Sequence, residues 1–412
     1  MATKTPIMNK SAPARDALSK RCRSIEESIT LALTDKVAQL KAKGVDVVSF
    51  GAGEPDFDTP QHIKQAAIDA LAKGMTKYTS SSGILPLRKA VAAKLQRENG
   101  LAYDPQTQIL ITAGGKQAIF NVIQAMLDEG DECLIAAPYW VSYPEMVKTS
   151  GATPVAVPTR EAEGFKLTAR ALAGAITPRT KLFIHCSPSN PTGIAYSEAE
   201  QRELATVLVD HQLHVISDEV YEKLVFGVKH HSIAQCGPEA KALTIIVNSF
   251  SKSYAMTGWR MGYAAGPADI IGGAAKIQSQ STSNPNSITQ YACVTALEGD
   301  QSMIETMRAE YEKRRDYIVT RLNAIHGISC IKPEGAFYAF PRIDKLFGRK
   351  HGSRAIGDAN EFATALLDIA RVLVVPGPGF GAPEYMRLSY ATSMKTIVEG
   401  LDRIEKFVRE LV

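Results

Sequence analysis

The chain has 412 residues, 45% of them hydrophobic and 22% charged, with a formal net charge of +4. The length exceeds that of one ordinary domain, and the composition excludes a disordered, collagen-like or disulfide-scaffold protein. The small net charge and the absence of a long Lys/Arg run interleaved with aromatics argue against nucleic acid as the main partner.

Residues 1–20 are polar and basic and lack the apolar block of a secretory signal. We expect them to form a flexible tail, with a short organellar transit segment as the alternative. No window of the sequence reaches the ~18 continuous apolar residues of a membrane span. We therefore predict no membrane association. The six cysteines contain no CxxC pair, so we also predict a cytoplasmic protein with reduced thiols and no metal site.

Between residues 61 and 299 the sequence alternates amphipathic stretches with short apolar runs, a pattern typical of an α/β layer with a mostly parallel sheet. The apolar runs are predicted strands at 108–112, 132–136, 181–186, 214–217 and 244–248. Ligands of such sheets bind at the carboxyl ends of the strands. The residues that follow each run are therefore the first candidates for a functional site.

The pattern changes after about residue 300. The later elements are predicted to be a charged helix at 301–325, short strands at 336–341 and 372–375, and a closing helix at 395–411. Before the α/β layer, residues 25–44 predict a helix and 45–50 a strand. We therefore predict a large α/β domain at 61–299, its sheet flanked by helices, and a smaller α+β domain formed by 21–60 and 300–412.

The segment Asn248–Arg260 follows a predicted strand and places Lys252 near the hydroxyls of Ser249 and Ser251 and the guanidinium of Arg260. Hydroxyls and a guanidinium suit a phosphate group. A neighbouring positive charge lowers the pKa of a lysine, and a neutral amine is what reaction with a carbonyl requires. Lys252 alone would be an ordinary solvated lysine, but the cluster favours a covalent role.

Asp218 ends the predicted strand in HVISDEVY, with Tyr221 three residues later. An acidic residue at a strand end is suited to pair with a protonated pyridine nitrogen, which keeps such a ring cationic. The alternative is a helix N-cap at Ser217 or Asp218.

Two turns follow other predicted strands. In SPSNPTG, the prolines and glycine predict a tight turn that projects the Asn190 amide above the sheet. In TAGGKQA, the pair Gly114 and Gly115 precedes a helix predicted to begin near Gln117, and backbone N–H groups at a helix start bind phosphate. This turn lacks the GxxxxGKS/T and GxGxxG patterns of nucleotide-binding loops.

Together these motifs resemble the fold-type I, class I aminotransferases, from about residue 24 to the C-terminus. The resemblance rests on SxSKxxxMTGWRxGY, NPTG, SDEVY, GAGEPDFDTP and the late RLSYA segment. Within that family the chain is similar to the bacterial-type aspartate aminotransferases and the aspartate/prephenate aminotransferases. The resemblance implies a homodimer that uses pyridoxal 5′-phosphate for ping-pong transamination between L-aspartate, or a similar amino acid, and 2-oxoglutarate.

By this resemblance Lys252 would carry the cofactor as a Schiff base and would move the proton between the substrate Cα and C4′ of the cofactor. Asp218 would pair with the pyridine nitrogen, and Trp140 would stack on the ring. Asn190 and Tyr221 would hydrogen-bond the phenolic oxygen. The phosphate would be held by Ser249, Arg260, the backbone of Gly115, Lys116 and Gln117, and the partner subunit's Tyr78.

The resemblance assigns the substrate α-carboxylate to Arg387, assisted by Gly53 and Asn190, with Trp140 beside them. A planar guanidinium orients a carboxylate better than an ammonium group does. The alternative for Arg387 is a surface arginine on a strand.

In the enterobacterial and animal aspartate enzymes, an arginine of the partner subunit binds the side-chain carboxylate of the substrate. By the resemblance, Ser279 stands at the position of that arginine in this chain. In the bacterial relatives a lysine in the glycine turn takes that role, and Lys116 stands there, accompanied by Thr30 and Ser279. The alternative is a solvated lysine at a helix start.

Other activities stay open on this scaffold. One is a prephenate or aromatic aminotransferase, although residues 79–83 depart from the turn expected near the substrate entrance. A second is a lyase that uses the same cofactor. A third is a non-enzymatic regulator, which the short N-terminal tail and the intact set of catalytic candidates disfavour.

Overall fold

The computed structural model describes residues 17–26 and 37–412. The helices in these ranges, α1 to α15, are Lys20–Ser24, 37–42, Gln61–Ala72, Leu85–Asn99, Gly115–Met126, Ser142–Ser150, Ala169–Ala175, Glu198–Asp210, Pro238–Leu243, Phe250–Ser253, Ala268–Ser281, Ser287–Glu298, Ser302–Ala324, Ala359–Ala365 and Met394–Arg409. The strands, β1 to β14, are Val48–Ser49, Ile109–Thr112, Glu132–Ala137, Thr153–Pro158, Thr180–Cys186, His214–Asp218, Thr244–Ser249, Gly262–Ala265, Tyr338–Ala339, Lys350–His351, Arg354–Ala355, Val372–Leu373, Val375–Pro376 and Met386–Ser389.

A seven-stranded sheet forms the centre of the described part of the chain, in the order β2-β8-β7-β6-β5-β3-β4. Strand β8 is antiparallel to its neighbours β2 and β7, and the other strands run parallel to one another. The predicted α/β class with a mostly parallel sheet is confirmed. The predicted strands correspond to β2, β3, β5, β6 and β7, each shifted by at most one residue at either end.

Strands β4 and β8 were not predicted. β4 lies at the sheet edge, where most of its side chains remain accessible, and its short apolar centre stands between Pro154 and Pro158. β8 has only four residues and begins with Gly262, and glycine is a poor strand former.

Helices cover both faces of the sheet. Neighbouring side chains on a strand point to opposite faces, so one strand contacts both layers of helices. On β7, Ile245 and Val247 pack in the cluster formed with α5 and α11. Ile246, between them, packs in the cluster formed with α3, α4 and α12. This double burial explains why β7 is a continuous apolar run.

The last third of the chain contains the predicted long helix as α13 and the closing helix as α15. The strand predicted at 336–341 is the short β9, and the one predicted at 372–375 is split into β12 and β13. β1 pairs in parallel with β12, so the predicted strand at 45–50 joins the late part of the chain. The division into two domains stays a prediction.

Of the helix predicted at 25–44, residues 37–42 are helical and 25–26 are not, and residues 27–36 lie outside the described ranges. Most of the predicted tail also lies outside them, and Lys20–Ser24 is a short helix. Within the described residues, no helix has the length and apolarity needed to cross a membrane. The six cysteines, all in the described ranges, form no disulfide with one another.

Candidate active site

A cavity of about 410 Å³ lies at the carboxyl ends of β5, β6 and β7. This is the edge of the sheet where the sequence places its polar motifs. The predicted residues that line it are Gly53, Gly115, Lys116, Trp140, Asn190, Asp218, Tyr221, Ser249, Lys252, Arg260 and Arg387. The structure therefore brings together most of the site predicted from scattered sequence segments.

Lys252 lies on the short helix α10, directly after β7. Its Nζ donates a hydrogen bond to the carbonyl oxygen of Gly53 and lies 6.0 Å from the ring centre of Tyr221. Burial of the amine lowers its pKa to about 8. The negative charge of Glu54 opposes this change, and the positive charge of Arg387 reinforces it. The lowered pKa agrees with the prediction, but burial, not positive charge, is its main cause.

Asp218 ends β6 and is only 4% exposed. The hydroxyl of Tyr143 donates to its Oδ2 at 2.5 Å, and the backbone N–H of Val220 points to its Oδ1 at 3.4 Å. Burial raises the pKa of Asp218 to about 6, while the Tyr143 hydrogen bond lowers it. A turn, not a helix, follows at residues 220–223, and the Val220 contact means that Asp218 also caps the start of this turn.

Arg387 lies on β14 and is 2% exposed. Its Nη1 donates to Oδ1 of Asn190 and its Nη2 to the carbonyl oxygen of Gly51, both at 3.0 Å. Its guanidinium lies 4.5 Å from the ring centre of Tyr338 and 5.1 Å from that of Phe380. The surface-arginine alternative is wrong, because the side chain is buried at the cavity.

Tyr221 is buried, and its hydroxyl shares a hydrogen bond of 2.8 Å with that of Tyr338. Burial raises the pKa of both phenols, so both are neutral at ordinary pH. The paired hydroxyls can donate a hydrogen bond to a ligand oxygen that enters the cavity.

Helix α5 begins at Gly115, two residues earlier than predicted, and no side chain in the described part of the chain caps it. Gly114 has a φ of +86°, which favours glycine, and a Cβ there would lie 2.5 Å from Nη2 of Arg260. Arg260 donates to the carbonyl oxygens of Thr257 and Ala113 and has further N–H groups. The helix start and Arg260 together form an anion-binding corner.

Lys116 projects from the start of α5, and its Nζ lies 4.9 Å from the ring centre of Trp140. Burial lowers the pKa of Lys116, and the positive charge of Arg260 lowers it further. The side chain lines the cavity and also a larger one of about 930 Å³ beside it. The residue as a whole is exposed, and its role in carboxylate binding stays a prediction.

The remaining predicted residues lie elsewhere. Tyr78 is 90% exposed, Ser279 is exposed and donates to the carbonyl oxygen of Lys276, and neither lines the cavity. The Gln117 side chain spans its own turn, accepting from the Ala113 N–H and donating to Thr282. Thr30 lies outside the described residues.

Sequence reasoning missed Tyr143, Tyr338 and Glu54, which all line the cavity. Neither tyrosine belongs to a motif that the sequence analysis singled out, so both look like core aromatics in the sequence. Glu54 belongs to the GAGEPDFDTP segment, and its carboxylate accepts a hydrogen bond of 2.9 Å from Thr257. That motif was the available signal for Glu54.

The sequence profile described as aminotransferase class I and II matches residues 45–404. The chain belongs to this family. The aspartate aminotransferase of Geobacillus stearothermophilus is 49% identical over 392 residues, which are 95% of this chain and 98% of that protein. The aspartate/prephenate aminotransferase of Cereibacter sphaeroides is 48% identical over 393 residues, 95% and 98% of the two chains.

The crystal structure of the Rhizobium meliloti aspartate aminotransferase superposes with a TM-score of 0.93 at 44% identity and covers 96% of this chain and 99% of its own. Family membership over nearly the full length makes the chain an aminotransferase that depends on pyridoxal 5′-phosphate. The prediction of family, enzyme class and cofactor is confirmed.

The cavity fits this cofactor. Its anion-binding corner at Gly115 and Arg260 suits a phosphate, and a buried carboxylate at Asp218 suits a protonated ring nitrogen. Lys252 presents an amine with a lowered pKa to the same space. When bound, the cofactor supplies an electron sink for negative charge at the substrate Cα.

Proposed function

We propose that this aminotransferase transfers the amino group between L-aspartate and 2-oxoglutarate by a ping-pong mechanism. The observation that carries the proposal is the convergence of Lys252, Asp218, Arg387 and Lys116 on one cavity of about 410 Å³. Relatives named aspartate aminotransferase, 46–49% identical over 95–96% of this chain, support the substrate.

Cofactor binding divides between two ends of the cavity. We assign the phosphate to Ser249, Arg260 and the backbone of residues 115–117, because the uncapped start of α5 favours an anion. We assign the ring nitrogen to Asp218, whose ionised form is stabilised by an adjacent cation. Trp140 covers the ring, and Asn190 and Tyr221 donate to the phenolic oxygen.

Lys252 is the catalytic base and acid of the proposal. Its Nζ would hold the cofactor until the amine of the substrate displaces it, and the freed amine would then take the proton from the substrate Cα and deliver it to C4′. Both tasks require a neutral amine, which the enclosed position of Nζ favours. The carbonyl oxygen of Gly53 orients the amine through a hydrogen bond.

Arg387 binds the substrate α-carboxylate. Its Nη atoms are oriented by Asn190 and Gly51, and its buried Nε has no hydrogen-bond partner among the described residues. A buried donor without an acceptor is costly, so a ligand carboxylate would be strongly favoured there.

Lys116 binds the side-chain carboxylate of aspartate, and its proposed companions are Thr30, outside the described residues, and the partner subunit's Ser279. Its ammonium group lies over Trp140, beside the part of the cavity that holds the ring. A cation at the positive end of a helix is locally unfavourable, which is consistent with a ligand anion as its partner.

Prephenate is the second candidate substrate, since a relative 48% identical is named an aspartate/prephenate aminotransferase. Prephenate also carries two carboxylates, so Arg387 and Lys116 serve it equally well. The Ser-rich turn at 79–83 departs from the turn expected near the substrate entrance, and this departure favours aspartate over prephenate.

We further propose that the enzyme is a cytoplasmic homodimer. Tyr78 is 90% exposed, so its hydroxyl is available to the cofactor phosphate of a partner subunit. The free cysteines, three of them buried, suit a reducing compartment.

The test is a half-reaction screen of the purified holoenzyme. Aspartate, glutamate, alanine, tyrosine and arogenate are offered separately, without an oxo-acid acceptor, while the cofactor absorption spectrum is followed. We expect aspartate and glutamate to give the fastest complete conversion to the amino form of the cofactor. Faster conversion with arogenate would favour prephenate, and release of phenol, pyruvate and ammonia from tyrosine, without an oxo-acid acceptor, would indicate a lyase.

A further inference from the structure

Tyr143 joins two walls of the cavity. It lies near the start of α6, is 2% exposed, and donates a hydrogen bond of 2.5 Å to Oδ2 of Asp218 on β6. Its ring meets that of Trp140 edge to face, with ring centres 5.3 Å apart at 90°. The residue therefore contacts both the carboxylate and the indole that enclose the same space.

The hydrogen bond matters because Asp218 is deeply buried. Burial disfavours an ionised carboxylate, and a hydroxyl that donates to it favours ionisation. Tyr143 from α6, the Val220 N–H from the following turn and Lys252 from α10 all act in this direction, whereas the neighbouring Glu219 opposes them. Tyr143 makes the shortest of the hydrogen bonds that Asp218 accepts.

The thiol of Cys186 on β5 completes the surroundings of this carboxylate. Burial raises the pKa of Cys186, so its thiol is neutral and adds no charge beside Asp218. A phenylalanine at 143 would fill nearly the same volume but would remove the donor from this buried group. Side-chain volume alone therefore does not account for a tyrosine at this position.

We propose that Tyr143 is a positioning residue that holds one carboxylate oxygen of Asp218 and leaves the other for the pyridine nitrogen of the cofactor. The inference rests on the proposed role of Asp218. The Tyr143 hydroxyl fixes the plane of the carboxylate and keeps its charge, and the Tyr143 ring fixes Trp140 beside it.

The test measures the dissociation constant of pyridoxal phosphate for the apoenzyme in Tyr143→Phe, Asp218→Asn and the double variant. We expect Tyr143→Phe to weaken binding ~10-fold, the size of a lost hydrogen bond to a charged group. In the Asp218→Asn background the second change should have little further effect, since the two residues act through one contact. Tyr139→Phe, four positions earlier, is the control and should bind normally.

The pH profile separates positioning from simple loss of structure. In Tyr143→Phe the acid limit of cofactor affinity should move to higher pH, because Asp218 loses the donor that favours ionisation. Replacement of Tyr143 by 3,5-difluorotyrosine, a stronger donor of the same shape, should move the limit the other way and serves if Tyr143→Phe fails to fold.

Additive losses in the double variant, or an unchanged pH limit in both replacements of Tyr143, would overturn the inference. Normal cofactor binding by Asp218→Asn would instead refute the proposed role of Asp218 itself. The two failures are thus distinguishable.

Discussion

Nη1 of Arg387 donates to Oδ1 of Asn190 at 3.0 Å, and this contact joins the late strand β14 to the turn after β5. The asparagine amide and the guanidinium therefore form one preorganised surface at the cavity.

Replacing Arg387 with lysine tests this surface. The variant should lose ~100-fold or more of kcat/KM for both aspartate and alanine, because an ammonium group cannot bind a carboxylate through a planar fork. Steady-state kinetics measure the loss. Arg342→Lys is the control, since Arg342 is 41% exposed in its side chain and pairs with Asp344. An unchanged efficiency in Arg387→Lys would remove Arg387 from the substrate site.

Lys116→Ser tests recognition of the second carboxylate. It should reduce kcat/KM for aspartate ~100-fold and affect alanine much less, because alanine has no charge for Lys116 to bind. Lys148→Ser is the matched control, since Lys148 lines the neighbouring larger cavity but not the candidate site. Equal losses for aspartate and alanine would exclude the carboxylate role.

The pH dependence of cofactor capture reports on Lys252. The pKa of this lysine is lowered to about 8, so the neutral, nucleophilic amine increases as the pH rises through 8. The rate at which the apoenzyme binds pyridoxal phosphate, followed by the visible absorption band, should rise through this region and then level. A rate that continues to rise to pH ~10 would indicate a lysine with its ordinary pKa.

Tyr78→Phe tests the proposed partner-subunit contact. The variant should remain dimeric by sedimentation but release the cofactor ~10-fold faster, because its phosphate loses one hydrogen bond to a charged group. Tyr317→Phe serves as the control, since Tyr317 packs on α13 against Arg321. A monomeric wild-type enzyme with normal cofactor binding would contradict the assignment.

The strands that carry the site were predictable because they are buried on both faces. β5, β6 and β7 have apolar centres, and the polar residues at or after their ends, Asn190, Asp218 and Lys252, were expected at one edge of the sheet. Arg387 was found through the resemblance alone, because nothing in its spacing places a distant strand at this edge.

Other features depend on three-dimensional contacts. Tyr143 reads as a core aromatic, and only the fold shows that its hydroxyl reaches Asp218. The pKa of Lys252 was attributed to neighbouring charge, whereas enclosure by the folded chain is the larger cause. Sequence position gives charges and hydroxyls, but burial is a property of the packed structure.

The most direct test of the account is to locate the bond between enzyme and cofactor. The holoenzyme is reduced with borohydride, digested and mapped by mass spectrometry. We predict that the pyridoxyl mass is found on the peptide that contains Lys252, with none in Lys252→Ala, which should also lack the visible absorption band and turnover. Attachment to another lysine, or full activity of Lys252→Ala, would contradict the account.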